Sequence, residues 1–515
     1  MAKETITLIG AGLNGPLLAL ELVKRGFRVE IYERRPDMRR VRMSAGRSIN
    51  LALSTRGIHA LSAAGLWKSM SGIVIPMRGR MMHSLQSELT FQPYGKDETQ
   101  VIYAISRAEL NMALLDAAES AGVKVFFGER CVGMDLRTGV VHVKNEQTGG
   151  EKRIETQMVI GCDGSASAIR TEMLKLPRFN FSQQYLDYGY KELTIPAGPD
   201  GKHVMNTAGL HIWPRGNYML IALPNIDGTF GCILFLPFEG PDSFAQLTTP
   251  EAVNEFFRAA FPDAMALMPG VADNFFANPT GAMVTVKCSP WSAEGYALLL
   301  GDAAHAIVPF FGQGINCGFE DCSVFLSLLD RYGADWSRVF REFEEARRIN
   351  TDAIADLAVE NFVEMRDRVA DPRFLLRKKV ELALEAKYPS LFVPKYSMVT
   401  FHRIPYSVAL NRGSTQEKIL AELCSGIDRV EDLNWSRADE LIRLEMTPLE
   451  LAAWPKPVSF QPRSLRSRWI AAILWLNSAR NSSSPEPKAG RKQFTCAGIL
   501  SVCSQSLPAH FLTKH

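Results

Sequence analysis

The first forty residues alternate between two hydrophobic periods. Thr5-Ile6-Thr7-Leu8-Ile9 is a short apolar run closed by Gly10, a strand pattern. Leu17, Leu18, Leu20, Leu22 and Val23 then supply one side of a helix that stops near Gly26, and Arg28-Val29-Glu30-Ile31-Tyr32 reads as a second strand. Strand, helix and strand in this order predict a βαβ unit, so an α/β domain with a parallel sheet opens the chain. Residues 107–122 pattern as a helix, and 123–127, 140–143 and 158–161 as strands. Between about 180 and 285 helical periodicity weakens, and β-rich runs at 218–223 and 231–236 stand between Gly, Pro and Asn turns. That texture predicts an antiparallel sheet with one face covering a site. Residues 296–301 return to α/β character, and 318–390 are mainly helical, rich in Ala, Glu, Leu and Arg.

These textures divide the chain into an α/β domain in three parts (1–72, 98–178 and 288–368), an insertion at 73–97, a β-rich domain at 179–287, a helical region at 369–454 and a tail at 455–515. The tail is dense in Pro, Ser and Arg, and its one apolar island, 469–476, is too short to cross a bilayer. It is expected to lack order.

Composition narrows the class. With 46% hydrophobic and 22% charged residues over 515 positions, the chain has the balance of a globular protein with a large core. The net charge of +3 is spread without a basic stripe, which argues against a nucleic-acid partner. Nine cysteines with no CxxC pair fit reduced thiols and a cytoplasmic setting. Met1 to Glu4 lead straight into the first strand, so no signal peptide is expected, and no run of about 18 apolar residues suggests a membrane span. No metal site is expected: His83 and His305 have no second ligand near them in sequence. A homodimer is compatible with the sequence but not specified by it.

Three motifs carry chemistry. Gly10-Ala11-Gly12-Leu13-Asn14-Gly15 lies between strand and helix. There Gly10 permits the tight turn, Gly12 lets a pyrophosphate approach the main chain, and Gly15 lets the helix pack closely on the sheet. The helix N-terminus adds free N–H groups and partial positive charge, and Glu33 ends the second strand where a carboxylate can accept ribose hydroxyls. Met158-Val159-Ile160-Gly161-Cys162-Asp163-Gly164 is an apolar strand ending in Asp-Gly, and Leu298-Leu299-Leu300-Gly301-Asp302 another ending in Gly-Asp. After the latter, Pro309 precedes a helix opened by Gly312-Gln313-Gly314-Ile315-Asn316. Taken singly, each Asp could merely cap a helix. In this order and spacing the three resemble the fingerprints of the flavoprotein aromatic hydroxylases.

That resemblance implies a Rossmann-like FAD-binding domain of the flavoprotein monooxygenase type, an α/β fold with an antiparallel β-sheet substrate domain and a C-terminal helical region. It implies tightly held, non-covalent FAD, with NADPH as a transient co-substrate and O2 as oxidant, since only one complete dinucleotide fingerprint is present. The carry-over places Gly10, Gly12, Asn14 and Gly15 at the pyrophosphate, and Tyr32, Glu33, Arg34 and Arg35 near the adenosine. Ala52, Arg107, Val132, Asp163 and Asp302 are further cofactor contacts. Gly314, Ile315 and Asn316 meet the flavin, where main-chain N–H groups at a helix start would stabilise the reduced, anionic ring.

Longer strings narrow the resemblance to the kynurenine-hydroxylating members of that family, over roughly residues 5 to 450. They include Arg47-Ser48-Ile49-Asn50-Leu51-Ala52-Leu53-Ser54, Arg80-Met81-Met82-His83-Ser84, Ser106-Arg107-Ala108-Glu109-Leu110 and Glu360-Asn361-Phe362-Val363-Glu364-Met365-Arg366. The implied substrate is L-kynurenine, hydroxylated at ring carbon 3. Arg80 and Tyr94, helped by Asn361 and Tyr396, would hold its carboxylate, because a guanidinium fork binds a carboxylate bidentately. Phe230 and Phe311 would wall the ring, with Glu364 and Met365 nearby. For each a blander role stays open: a surface ion pair for Arg80, core packing for the aromatics, a solvated helix face for Glu364. Two other functions also stay open at this stage, a hydroxylase of another aromatic acid and a flavin-bound interaction protein docking through its helical region and tail.

Overall fold

The computed structural model describes residues 4–41, 50–95, 99–368 and 371–451. The expected disorder of 455–515 and its apolar island lie outside the described residues, as do Arg47 to Ile49.

Thr5–Ile9, all but its first residue buried, is the centre of a six-stranded sheet. It pairs in parallel with Arg28–Glu33 on one side and Met158–Gly161 on the other. Lys124–Phe127 and Ala297–Leu299 extend the parallel ladder outwards, and Ser292–Ala293 adds an antiparallel edge. Near-continuous apolar strands are what a sheet covered on both faces requires. Strands from three separated parts of the chain therefore build one sheet, with which the helices Asn14–Lys24, Arg107–Ser120 and Gly314–Tyr332 share a core.

The second sheet has seven strands, in the order Thr280–Ser289, Asn180–Ile195, Phe230–Pro237, Met219–Pro224, Gly209–Pro214, Gly79–His83 and Leu89–Pro93. It is antiparallel except where Gly209–Pro214 runs parallel to Gly79–His83. The expected insertion at 73–97 thus contributes two strands to the β-rich domain's own sheet. Within 179–287 the weak helical periodicity is misleading. Pro250–Ala260, Pro262–Leu267 and Val271–Ala277 are helices that cover the outer face of this sheet. Pro250 and Pro262 stand at helix starts, where proline is tolerated, so the signal that reads as a break is a beginning.

Alternation along the strands sorts side chains between two cores. Leu210 and Ile212 join the core facing the C-terminal helices, whereas Trp213, Leu220, Leu234 and Leu236 join the one under the three short helices. On that outer side His83 Nδ1 lies 2.6 Å from Asp263 and its Nε2 2.8 Å from His211 Nδ1. His211 Nε2 must donate to the Asn206 carbonyl at 2.7 Å, so in the neutral ring Nδ1 is the acceptor. Burial chiefly, with His83 beside it, lowers the His211 pKa from 6.5 to about 4. The folded state therefore resists a proton that the unfolded chain takes up below 6.5, so stability is lost as pH falls from 6.5 through about 4. The expected loss is up to about 3 kcal/mol. Denaturant unfolding at pH 7 and pH 4.5 should show a shallower pH dependence for His211→Gln than for the unaltered protein, and equal slopes would refute the assignment.

After the 28-residue helix Trp336–Val363 the chain widens into a looser helical turn at Glu364–Arg368. Helices Pro372–Lys387, Lys395–Thr400, Tyr406–Leu423 and Trp435–Glu445 follow. Among the described residues no helix is long and apolar enough to cross a membrane.

Candidate active site

The glycine loop is shaped by collisions that side chains would cause. Gly10 has φ +103°, and a Cβ there would meet the Cys162 carbonyl oxygen at 2.5 Å, while one on Gly15 would run into the Gly10 carbonyl. Around Gly12 nothing lies within 4 Å of such an atom, so the middle of the turn is open for a phosphate to approach. Asn111 secures the loop from behind, donating to the carbonyls of Ala11 at 3.0 Å and Gly12 at 2.9 Å. The sequence reading missed Asn111, although an Asn within the Leu110, Leu114, Leu115 stripe of a helix is a detectable anomaly.

Glu33 accepts from the Ala11 N–H at 2.8 Å and from the main chain and Nε of Arg35, each at 2.8 Å. Burial would raise its pKa, but Arg35 and these N–H groups hold it below the usual carboxylate range. It is an ionised acceptor at the strand end. Arg34 is exposed beside it. The Tyr32 ring stacks on Phe126 with centroids 4.9 Å apart, and its carbonyl accepts the Gly10 N–H. Val132 is the extra residue of a β-bulge, since Cys131 pairs with Val143 and Gly133 with His142, and it is pushed out to 45% exposure.

At the two aspartate turns, Asp163 accepts the Ala168 N–H at 2.7 Å, and burial raises its pKa. Asp302 begins a short helix and is exposed, within electrostatic reach of exposed Arg107. Arg170 joins the two turns by donating to the Ala303 carbonyl at 2.6 Å and to the Ser165 carbonyl. Asn14 is wedged against Gly301 and Gly318, where a Cβ on either glycine would strike its amide. Gly312 turns with φ +64°, and Gly314 opens the following helix with free space around it.

The Asn316 side chain is engaged within the protein. It donates to the carbonyls of Ala52 and Gly312, both at 2.8 Å, and accepts from the Ser54 N–H at 2.8 Å. Its amide clamps the helix start to strand Asn50–Leu53, leaving only its main chain for a ring edge. Gln313 is held from the other side by the Tyr406 hydroxyl at 2.9 Å.

A cavity of about 200 Å³ lies between this helix start and the second sheet. Ala52, Gly312, Gly314 and Ile315 bound it on one side, and Ile221, Ile233, Phe235 and Leu210 come from the sheet. Arg80, Tyr94, Tyr396, Phe311 and Met365 line it as well, so residues expected from distant segments converge. Tyr94 and Tyr396 stack with centroids 5.6 Å apart, and the Arg80 guanidinium lies 5.1 Å from the Tyr396 ring centre. Burial works against the Arg80 charge, but Tyr396 and Glu364 beside it carry its pKa above the ordinary value. Glu364 is 3.8 Å away. The Tyr94 hydroxyl is buried beside Arg80 and Tyr396, and among the described residues no group lies at full hydrogen-bond geometry to it. A guanidinium fork beside a buried hydroxyl has the donor geometry that suits a carboxylate.

One expectation needs correction. Phe230 is fully buried on the opposite side of its strand, packed against His203 and His211, and does not line the cavity. Phe235, five residues on and of opposite parity, takes that place. Asn361 and Glu364 line a neighbouring, more charged pocket that shares Phe311 and Tyr396 with the main cavity, and the Asn361 amide donates to the Phe310 carbonyl at 2.7 Å. The fold also gathers donor atoms of His305, Cys317 and Asp321 within 4.8 Å of one another. Arg347 occupies that centre, 2.7 Å from Asp321 and 2.7 Å from Glu320. Asp321 draws a proton onto His305 against the cost of burial, so the cluster is an ion-pair network rather than a cation site.

Comparisons with known proteins agree with this geometry. The family described as FAD binding domain matches residues 3–332. Kynurenine 3-monooxygenase of Myxococcus xanthus is 54% identical over 447 residues, covering 87% of this chain and 96% of the relative. The enzyme of the same name from Dictyostelium discoideum is 44% identical over 458 residues, covering 86% and 98%. Among solved structures, the tetrameric form of 2-methyl-3-hydroxypyridine-5-carboxylic acid oxygenase aligns with a TM-score of 0.59 at 19% identity, over 73% of this chain and 96% of that one. Pseudomonas aeruginosa PqsL aligns at 0.56 and 18%, over 71% and 97%, and both support the fold. With a glycine turn, two aspartate turns and a helix start disposed as FAD requires, and with such identity over nearly the whole length of its relatives, the chain belongs to the kynurenine 3-monooxygenase family of FAD-dependent hydroxylases.

Proposed function

We propose that this chain hydroxylates L-kynurenine at ring carbon 3, beside the ring amine, consuming NADPH and O2. The observation that carries the reading is Arg80 beside the buried Tyr94 hydroxyl, set in a largely apolar cavity bounded by the Gly312–Ile315 turn. The relatives' shared name supplies the substrate.

FAD, held by the glycine loop, Glu33, the aspartate turns and the helix start at Gly314, supplies reducing power from NADPH and an activated oxygen. The protein's own residues do the rest. Arg80 binds the amino-acid carboxylate through its fork, Tyr94 and Tyr396 add neutral donors, and Glu364 is placed to balance the guanidinium while the site awaits substrate. Phe235, Ile221, Ile233 and Leu210 exclude water and hold the ring flat. Main-chain N–H groups at Gly314 and Ile315 oppose negative charge at the cofactor's edge. No side chain need act as nucleophile, so orientation by Arg80 is the chief catalytic contribution of the substrate end.

Purified protein carrying yellow flavin, given L-kynurenine and NADPH under air, should form 3-hydroxykynurenine with little hydrogen peroxide. Coloured protein that leaves L-kynurenine unchanged, but couples NADPH oxidation to another aromatic acid, would reassign the substrate.

A further inference from the structure

Four polar side chains line the main cavity: Arg80, Tyr94, Tyr396 and Asn50. The first three are donors gathered at the carboxylate receptor. Asn50 is unaccounted for. It is 7% exposed, at the start of strand Asn50–Leu53, and its Nδ2 donates to the Leu223 carbonyl at 3.0 Å, with Pro224 at 3.4 Å. That tether fixes which way the amide faces, because only the nitrogen can serve a carbonyl. The oxygen, Oδ1, is buried and has no hydrogen-bond partner among the described residues. A buried carbonyl oxygen left unpaired costs free energy that a ligand donor would recover.

We infer that Asn50 Oδ1 accepts an N–H from the ring amine of the aromatic substrate. This rests on the proposed reaction. Two observations point to the ring amine over the α-ammonium. Asn50 shares a strand with Ala52, whose carbonyl accepts from the Asn316 amide and whose methyl lies against the Gly312 turn, so Asn50 belongs to the wall beside the flavin-binding helix start. The carbon that is hydroxylated is the ring amine's neighbour and must face that wall. An acceptor on the amine N–H also pushes nitrogen electron density into the ring, which makes the adjacent carbon a better nucleophile towards electrophilic oxygen. Asn50 then both positions the arylamine and selects for it.

The test compares binding of L-kynurenine and its analogue lacking the ring amine, read from perturbation of the flavin spectrum. The unaltered protein should bind the desamino analogue about tenfold more weakly, the worth of one good hydrogen bond. In Asn50→Leu and Asn50→Ser the two ligands should bind within about twofold of each other. Flavin content and melting temperature are recorded for each variant, so one that fails to fold is recognised and the other carries the comparison. Equal binding of the two ligands by the unaltered protein would overturn the inference, as would a preference that persists in the Leu and Ser variants. So would loss of discrimination only against an analogue lacking the α-ammonium. Failure of the unaltered protein to bind L-kynurenine at all would instead sink the proposed reaction.

Discussion

Replacing Arg80 with Ala should lower kcat/KM for L-kynurenine by about 100- to 1000-fold, with flavin content unchanged. The magnitude follows from the setting. The Arg80 side chain is 11% exposed, and removing one member of a buried charge pair costs about 3–5 kcal/mol because the remaining charge is left uncompensated. Here the incoming carboxylate would be stranded, whereas Glu364, 3.8 Å from Arg80, keeps Lys378 at 3.9 Å. Most of the loss should fall on KM, since the carboxylate is held alike before and during the reaction, and uniform binding shows as affinity rather than turnover. Arg80→Lys keeps the charge but loses the planar fork and its stacking on Tyr396, 5.1 Å from the guanidinium, so a smaller loss of about tenfold is expected. Steady-state kinetics with peroxide measured in parallel checks both values. An Arg80→Ala enzyme with unaltered KM would remove the carboxylate receptor from this site.

The nucleotide half of the site was legible in the sequence because its demands fall on the backbone. Gly10 and Gly15 stand where any larger residue would strike a carbonyl, and such positions announce themselves by residue type alone. Arg80 and Tyr94 were singled out by resemblance, and the sheet places them together because Arg80 pairs with Gln92 and the Tyr94 N–H binds the Arg78 carbonyl. Phe230 was misjudged because the side of a strand that faces a cavity is set by pairing, which no single run reveals. Once Ile233 is known to face inward, alternation puts Phe235 with it and Phe230 behind. The His305 network was invisible for another reason. Its members Asp321 and Arg347 lie 16 and, from Asp321, 26 residues along the chain, and only the packing of two long helices brings them to the same centre. The helices of 250–277 were hidden by prolines that begin rather than end them.

Two alanine substitutions in one loop should separate folding from cofactor binding. At Gly15 a methyl would be driven into the Gly10 carbonyl oxygen, a backbone atom that cannot turn aside, so Gly15→Ala should destabilise the protein by about 2–3 kcal/mol even without FAD. At Gly12 there is no atom within 4 Å to obstruct a methyl, so the flavin-free fold should tolerate it and melt within a few degrees of the unaltered apoprotein. The same methyl would occupy the space through which a pyrophosphate must approach the main chain, and overlap there should weaken FAD binding by about a hundredfold, roughly 3 kcal/mol. Flavin stoichiometry after purification, fluorescence titration of the apoprotein with FAD and thermal unfolding distinguish the two cases. The contrast matters more than either number, because a generic packing defect would lower stability at both positions together. Gly12→Ala protein that purifies with a full complement of flavin would mean that the phosphates do not pass over this turn, and the cofactor would have to enter the sheet's edge by another path.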